Sequence, residues 1–457
     1  MTVDNPTLPS FGFADLHLPA ALVRNLSRQE ITDPTPVQAA VIPDALAGRD
    51  VLGRARTGSG KTLAFGLPML ERLAGGRSRS RSPRGLIVVP TRELANQVRQ
   101  SLEPLAHAVN LKMTTVYGGT PYDRQVRRLK QGTDIVVATP GRLDDLIRRG
   151  ACRLDAVEIT VLDEADHLCD LGFFPAVDAL LALTPAGGQR QLLSATLDGD
   201  VDKLVRNHLN DPVVHKIDSD QSTIDTMDHH VLVTGSHNKL ETTLDLLRAN
   251  PRSIVFTRTR GGATDLARQL SEAGIEAVDL HGNLSQRVRE RNLRQFSNGR
   301  AQVVVATDVA ARGIHVDGIG LVVHYDVPTE PKSYLHRSGR TARAGNSGAV
   351  VTVTVERGVG AVMRLHRTAG VDARHHDART APQPLTAEAL STAGVPAHEV
   401  KVVEHGSGRG GNRQGRYNGR SGGRGYQGRN QGQGRGQGHG QGQGRGQSGR
   451  RPRTRQP

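Results

Sequence analysis

The chain has 457 residues, 36% hydrophobic and only 3% aromatic, a length for two or three domains and a composition too lean for all of it to fold around a core. Its net charge of +15 is uneven: residues 406–457 hold 12 Arg, 19 Gly and no acid, leaving residues 1–405 near balance at +3. Two cysteines, Cys152 and Cys169, exclude a disulfide framework and a cysteine-based zinc cluster, while the absence of an apolar run near the ~18 residues of a membrane span and of a basic, apolar start leads us to expect a soluble cytoplasmic protein with no membrane partner.

In chain order, a flexible N-terminus (1–10) leads into short apolar runs that alternate with amphipathic stretches. Strands are predicted at DVLGRA (50–55), GLIVVP (85–90), MTTVYG (113–118), DIVVAT (134–139), ITVLDE (159–164) and QLLSAT (191–196). Helical stretches such as 92–106 and 174–183 intervene, and GGRSRSRSPRG (75–85) reads as a surface loop. The pattern pauses over the polar segment 210–230. It resumes at SIVFTRT (253–259), EAVDLHG (276–282), AQVVVATD (301–308), GLVVHYD (320–326) and AVVTVTV (349–355). Strand–helix alternation predicts parallel sheets covered on both faces. The expected units are α/β domains at 11–212 and 229–370, a linker at 213–228, and a Pro/His/Ala-rich connector at 371–405 with no stable fold. The pairs His229–His230 and His375–His376 have no metal partners at ligand spacing and are expected at the surface. The tail at 406–457 lacks Ala, Val, Leu, Ile, Met and Phe and is expected to be disordered.

ARTGSGKT (55–62) follows a strand and opens a helical pattern, the context of a phosphate-binding loop. Ala55, Thr57, Gly58, Ser59 and Gly60 let backbone N–H groups approach phosphate oxygens. Lys61 reaches the terminal phosphates, and Thr62 is a Mg²⁺ ligand. ITVLDEADHL (159–168) ends a strand in acids, as a metal-bound triphosphate requires: Asp163 for Mg²⁺, Glu164 for the attacking water.

Together, DEAD at 163–166 and this loop resemble the DEAD-box ATP-dependent RNA helicases, over about residues 11–370. The resemblance implies two tandem RecA-like parallel-sheet domains (P-loop NTPases of helicase superfamily 2), ATP and Mg²⁺ in the cleft, and single-stranded or short duplex RNA across both. It implies adenine contacts from Gln38 and Phe13. Pro90, Thr91 and Arg92, Gly118 and Gly119, and Thr139, Pro140, Gly141 and Arg142 line an RNA path in the first unit. Gln286, Arg289 and Thr307 do so in the second. Asp166, the Ser194–Ala195–Thr196 triplet, Asp308, His336 and Arg337 couple the motifs, and Arg340 and Arg343 act as arginine fingers. The chain departs from the family's usual pattern at Glu30 and Ala342, both in place of Gly, and at His315, in place of an Asp near the ribose.

The Arg/Gly tail resembles RGG-type segments that grip phosphates and stack on bases. Three functions follow: an RNA-stimulated ATPase that separates short duplexes or remodels RNA–protein complexes, ribosomal or mRNA-decay assemblies among them; a weakly catalytic RNA chaperone or scaffold acting through the tail; and a DNA translocase, against which the Gln38 motif, PTRELA, TPGR and HRSGR argue.

Overall fold

The computed structural model describes residues 12–55, 58–197, 199–217, 227–311, 318–342 and 348–399. The first lobe has strands β1 (Val51–Arg54), β2 (Gly85–Val88), β3 (Met113–Val116), β4 (Ile135–Ala138), β5 (Ile159–Asp163), β6 (Gln189–Ser194) and β7 (Val213–Lys216). They form a sheet in the order β3-β4-β2-β5-β6-β1-β7, parallel at every pairing. The helices are α1 (Ala20–Arg28), α2 (Pro36–Leu46), α3 (Lys61–Leu73), α4 (Arg92–Ala108), α5 (Tyr122–Lys130), α6 (Pro140–Arg148), α7 (Ala165–Asp170), α8 (Phe174–Ala182) and α9 (Gly199–His208).

β2 shows why these residues form strands. Ile87 and Val89 face one core with Phe65, Leu70 and Leu102, and Leu86 and Val88 face the other with Leu146 and Leu180. Every residue of the strand is buried. A β-branched run suits a strand covered twice, and each such side chain contributes about 1.5–3 kcal/mol by leaving water.

The second lobe repeats the plan. Its strands are β8 (Met227–Thr234), β9 (Ser253–Phe256), β10 (Ala277–Leu280), β11 (Val303–Ala306), β12 (Leu321–His324), β13 (Gly348–Val355), β14 (Arg374–Asp377) and β15 (Val395–Pro396), ordered β10-β11-β9-β12-β13-β8-β14-β15. Only the β14–β15 pair is antiparallel. The helices are α10 (Lys239–Ala249), α11 (Arg260–Glu272), α12 (Gln286–Ser297), α13 (Asp308–Ala311), α14 (Pro331–Ser338), α15 (Val359–Ala369) and α16 (Ala387–Thr392). Both sheets fit the tandem RecA-like plan.

Three expectations need correction. The polar stretch 210–230 holds β7 and the start of β8, an interior strand of the second sheet. The stretch 372–399 is folded: β14 pairs with β8, and α16 buries Leu390 against the same lobe. The paired histidines are interior, since His229, His230, His375 and His376 are all at most 6% exposed. His229 Nδ1 meets the Tyr334 hydroxyl at 2.8 Å and His230 Nδ1 meets His376 Nε2 at 3.2 Å. A neutral imidazole can be buried like an aromatic ring, but in sequence it reads as polar, which hides both strands. The N-terminus 1–11 and residues from 400 onward, with the Arg/Gly tail, lie outside the described residues.

Candidate active site and nucleic-acid interface

Sheet order decides which loops meet. β5, β6 and β1 are neighbours, so the segments leaving their C-terminal ends converge: the DEAD residues, Ser194–Thr196 and the phosphate loop. Ligands of open α/β sheets bind at such strand ends.

In the phosphate loop, Gly60 has φ +96°, and a Cβ there would sit 2.5 Å from the Gln38 amide nitrogen. Only glycine meets both demands. Gln38 is buried, accepts from the Thr35 N–H at 2.9 Å and donates to the Gly60 carbonyl at 3.0 Å. It therefore ties the start of α2 to the loop. Ala55, at the end of β1, accepts from Lys61 Nζ at 3.0 Å, and the same ammonium lies 3.2 Å from Glu164 Oε1. Gly58, Ser59 and Thr62 complete the described part of the loop, and Thr57 is outside it. Phe13 is a core residue beside Leu16 and Leu22.

Asp163 ends β5, and Glu164 turns the chain through a left-handed conformation (φ +55°) into α7. Both carboxylates are buried. Burial pushes the Asp163 carboxyl up, against the pull of Lys61. Burial also works against the charge on Lys61, but Glu164, Asp163 and Asp166 outweigh it and hold the ammonium above its ordinary value. The carboxylate and hydroxyl oxygens gathered beside the phosphate loop are ligands of the kind a hard divalent cation such as Mg²⁺ takes. Asp163 and Thr62 fit that role.

Asp166 links the acids to β6. Its N–H donates to Ser194 Oγ at 3.1 Å, and its Oδ2 accepts from the Thr196 N–H at 3.2 Å and hydroxyl at 3.4 Å. The Ala195 carbonyl accepts from Arg54 at 3.2 Å.

The neighbouring strands β3, β4 and β2 bring together the other three loops. Thr91 caps α4, accepting from the Leu94 N–H at 3.2 Å just after Pro90. Gly119 has φ +80°, and a Cβ there would fall 2.2 Å from an Arg92 nitrogen. Gly118 also lies against Arg92. Thr139 precedes α6, Pro140 fills its first turn beside Gly141, and Arg142 donates to the Thr120 carbonyl at 3.3 Å. Threonines, glycine amides and two arginines thus form one row on the first lobe.

In the second lobe, Arg337 pairs with Asp308 (2.8 Å), donates to the Asp326 carbonyl (2.7 Å) and stacks on Phe256. Arg340 is buried and donates to the His336 carbonyl at 3.2 Å. Thr307 is buried at the end of β11. Arg343 and His315 lie outside the described residues. Gln286 and Arg289 are turned toward the first lobe: Arg92 donates to Gln286 Oε1 at 3.3 Å, and Arg289 pairs with Glu93 at 2.9 Å. Glu93 was missed in sequence because an acid in a helix's first turn is expected from the helix dipole alone. Asp170 is a second missed residue. It holds Lys332 at 3.0 Å and lies 3.9 Å from His336; nothing in either local sequence marks the pair.

Fold and site together define a two-lobed P-loop nucleotide-binding protein with a basic row beside its acidic centre. Residues 35–204 match the family described as DEAD/DEAH box helicase, and residues 238–345 match the helicase conserved C-terminal domain. The chain is 37% identical over 358 residues to the DEAD-box ATP-dependent RNA helicase CshA of Geobacillus kaustophilus, covering 78% of this chain and 76% of that one. Among solved structures it is similar to S. cerevisiae Dbp5 bound to RNA and ADP BeF3 (26% identity, TM-score 0.71, 80% of this chain and 95% of that one). It is also similar to Mss116p bound to ssRNA and AMP-PNP (26% identity, TM-score 0.69, 80% and 79%). The chain belongs to the DEAD-box ATP-dependent RNA helicase family.

Proposed function

We propose that the protein hydrolyses ATP in an RNA-stimulated cycle and uses it to separate short RNA duplexes or remodel RNA–protein complexes locally. One observation carries the reading: Lys61 of the phosphate loop and the Asp163–Glu164 carboxylates meet in one buried cluster, with Lys61 Nζ 3.2 Å from Glu164. In the reaction Lys61 leaves Glu164 for the β- and γ-phosphate oxygens. Glu164, so released, orients the attacking water and takes its proton as the water oxygen bonds to the γ-phosphorus. The bond from that phosphorus to the β-phosphate oxygen breaks, giving ADP and phosphate. Thr62 and Asp163 would hold Mg²⁺, which would supply neutralisation of the charge on the phosphates. Gln38 contacts adenine, with Phe13 beneath that wall and His315 toward the ribose. Arg340 and Arg343 stabilise the charge that develops in the transition state. RNA lies along Thr91, Arg92, Gly118, Gly119 and Thr139–Arg142, and continues over Thr307, Gln286 and Arg289. Such contacts hold phosphates and leave bases unread. Lobe contacts through Glu93 and Asp170 and the Asp166–Ser194–Thr196 links make nucleotide state and RNA grip mutually dependent. The proposal extends to a cytoplasmic setting and to ribosomal or mRNA-decay complexes as substrates.

Steady-state ATPase assays with and without single-stranded RNA test it. Wild type should be strongly stimulated by RNA, and Glu164→Gln should lose at least about 10²-fold in turnover, the scale of a missing general base. Wild-type turnover in Glu164→Gln would overturn the mechanism.

A further inference from the structure

A second cavity opens in the first lobe, away from the phosphate loop. It has a volume of about 220 Å³ and lies between α4, α5 and the edge strand β3. Its lining includes Arg99, Arg124 and Arg128, with Tyr117, Thr120 and Gln125. α5 carries four basic residues and one acid. Arg99 is held by Glu103, and Arg128 leans on the Thr114 hydroxyl at 3.5 Å. No ion pair engages Arg124 among the described residues.

Gln125 is the informative residue. It is 5% exposed, and its amide nitrogen is satisfied by the Tyr117 carbonyl at 3.0 Å and the Thr120 hydroxyl. Its Oε1 is buried and has no hydrogen-bond partner. A buried carbonyl oxygen without a donor costs about 1–3 kcal/mol. The cavity therefore offers guanidinium groups for an anion and, in the wall just beneath its surface, one acceptor that a hydroxyl or amino group would satisfy once the Gln125 amide turns outward. A bare phosphate satisfies only the first. A ribose-phosphate unit satisfies both, through its phosphate oxygens and its 2′-hydroxyl, the group that distinguishes RNA from DNA.

Two observations favour a polymer over a free nucleotide. The volume is below the roughly 300 Å³ at which sites for whole small-molecule ligands begin. The rim is also shared with the basic row: Thr120, which lines the cavity, immediately follows Gly118–Gly119, and its carbonyl accepts from Arg142. On α4, Arg92, Asn96 and Arg99 lie at helical spacing, from the row down to the cavity.

We propose that this cavity is an accessory RNA subsite, taking one ribose-phosphate unit of the strand where it runs on beyond the basic row. The inference rests on the RNA-binding reading above. Its consequence is length dependence: RNA just long enough for the row gains nothing from α5, and longer RNA gains an added contact.

The test compares full-length wild type with Arg124→Ala/Arg128→Ala, whose side chains lie on the exposed face of α5. Affinity is read for RNAs of about 6 and about 15 nucleotides by fluorescence anisotropy over a salt series, in the presence of a non-hydrolysable ATP analogue. For the longer RNA we expect about tenfold weaker binding in the variant, the scale of a lost charged hydrogen bond. Its log–log salt slope should shrink by about 0.7 per lost phosphate contact. The 6-mer should bind both proteins alike, and saturating 6-mer should give equal ATP turnover, which also certifies folding. A chimeric 15-mer with a single 2′-deoxy position, moved stepwise along the strand, should show one position that weakens wild type. Equal loss for both lengths, or no loss for either, overturns the subsite; so does a 2′-deoxy scan without effect. Failure of wild type to bind either RNA would instead defeat the RNA-binding reading itself.

Discussion

A side chain in the left-handed region costs about 1–2 kcal/mol, because its Cβ crowds the following carbonyl. Glu30 has φ +60° and Ala342 φ +51°, at the two positions where the family commonly has Gly. The reason at Glu30 is local. Ile31 N–H donates to the Leu26 carbonyl and Glu30 N–H to the Ser27 carbonyl, the paired bonds that end a helix with a left-handed residue. The fold keeps the glycine conformation without the glycine. Glu30→Gly and Ala342→Gly should therefore each stabilise the protein, by up to about 1 kcal/mol once glycine's greater freedom in the unfolded chain is subtracted. Urea denaturation reads the difference as a raised midpoint at constant slope; an unchanged or lowered midpoint for Glu30→Gly would refute the strain argument. The sequence showed these positions as departures from a pattern. Only the backbone angle explains why they matter.

Elements were legible where their signal was apolar. All eleven segments predicted as strands contain one, because runs such as GLIVV and VVVA are buried on both faces. Two of the misses, β8 and β14, share a cause. β8 begins MDHH and β14 reads RHHD, and histidine carries no apolar signal although the fold buries it. The phosphate-loop, DEAD and SAT residues were legible because their spacing is local; Glu93–Arg289 and Asp170–Lys332 were not, since each pair joins segments more than 150 residues apart.

The buried histidines have an element-scale consequence. His324 packs edge-on and His366 at a tilt against Tyr334, with neither ring nitrogen of either bonded. Burial holds His229, His230 and His376 down at about 4 and His366 at about 3, and pulls His324 and His375 down as well. Around them stand Asp228 and Asp372, which oppose this, and Arg337 and Arg374, which reinforce it. The sign is definite. Above the ordinary value of 6.5 both states are neutral and nothing is gained or lost. As pH falls below it, the unfolded chain takes up protons that the folded lobe refuses, so stability declines down to about 4, where His229 begins to accept its proton, and further where His366, at about 3, still refuses one. The second lobe should thus unfold at lower urea at pH 5.0 than at pH 7.5. His366→Leu should show a smaller difference between the two. Equal midpoints for wild type at both pH values would refute the titration.

For the whole molecule, lobe contact is the variable that function must control. Glu93 and Arg289 are each about nine-tenths buried where the lobes meet, and Gln286 adds two more bonds across the same junction, accepting from Arg92 and donating to Glu93. Lys332 and Asp170 are more exposed. The two pairs should behave differently. Truncating one partner of a buried pair strands the other charge, at about 3–5 kcal/mol, whereas an exposed pair contributes about 0–1 kcal/mol and fades with salt. If the lobes part, both charges of each pair return to water, so the penalty falls on the joined state alone. Glu93→Ala should therefore lower the joined population, read by fluorescence transfer between dyes on the two lobes with RNA and a non-hydrolysable ATP analogue bound. Lys332→Ala should lower it slightly, and only at low salt. Arg289→Ala should act like Glu93→Ala, and the double variant should lose much less than the sum of the two, because the first substitution already removes the pair. Additive losses would mean that Glu93 and Arg289 act separately, and that the junction is held by other contacts.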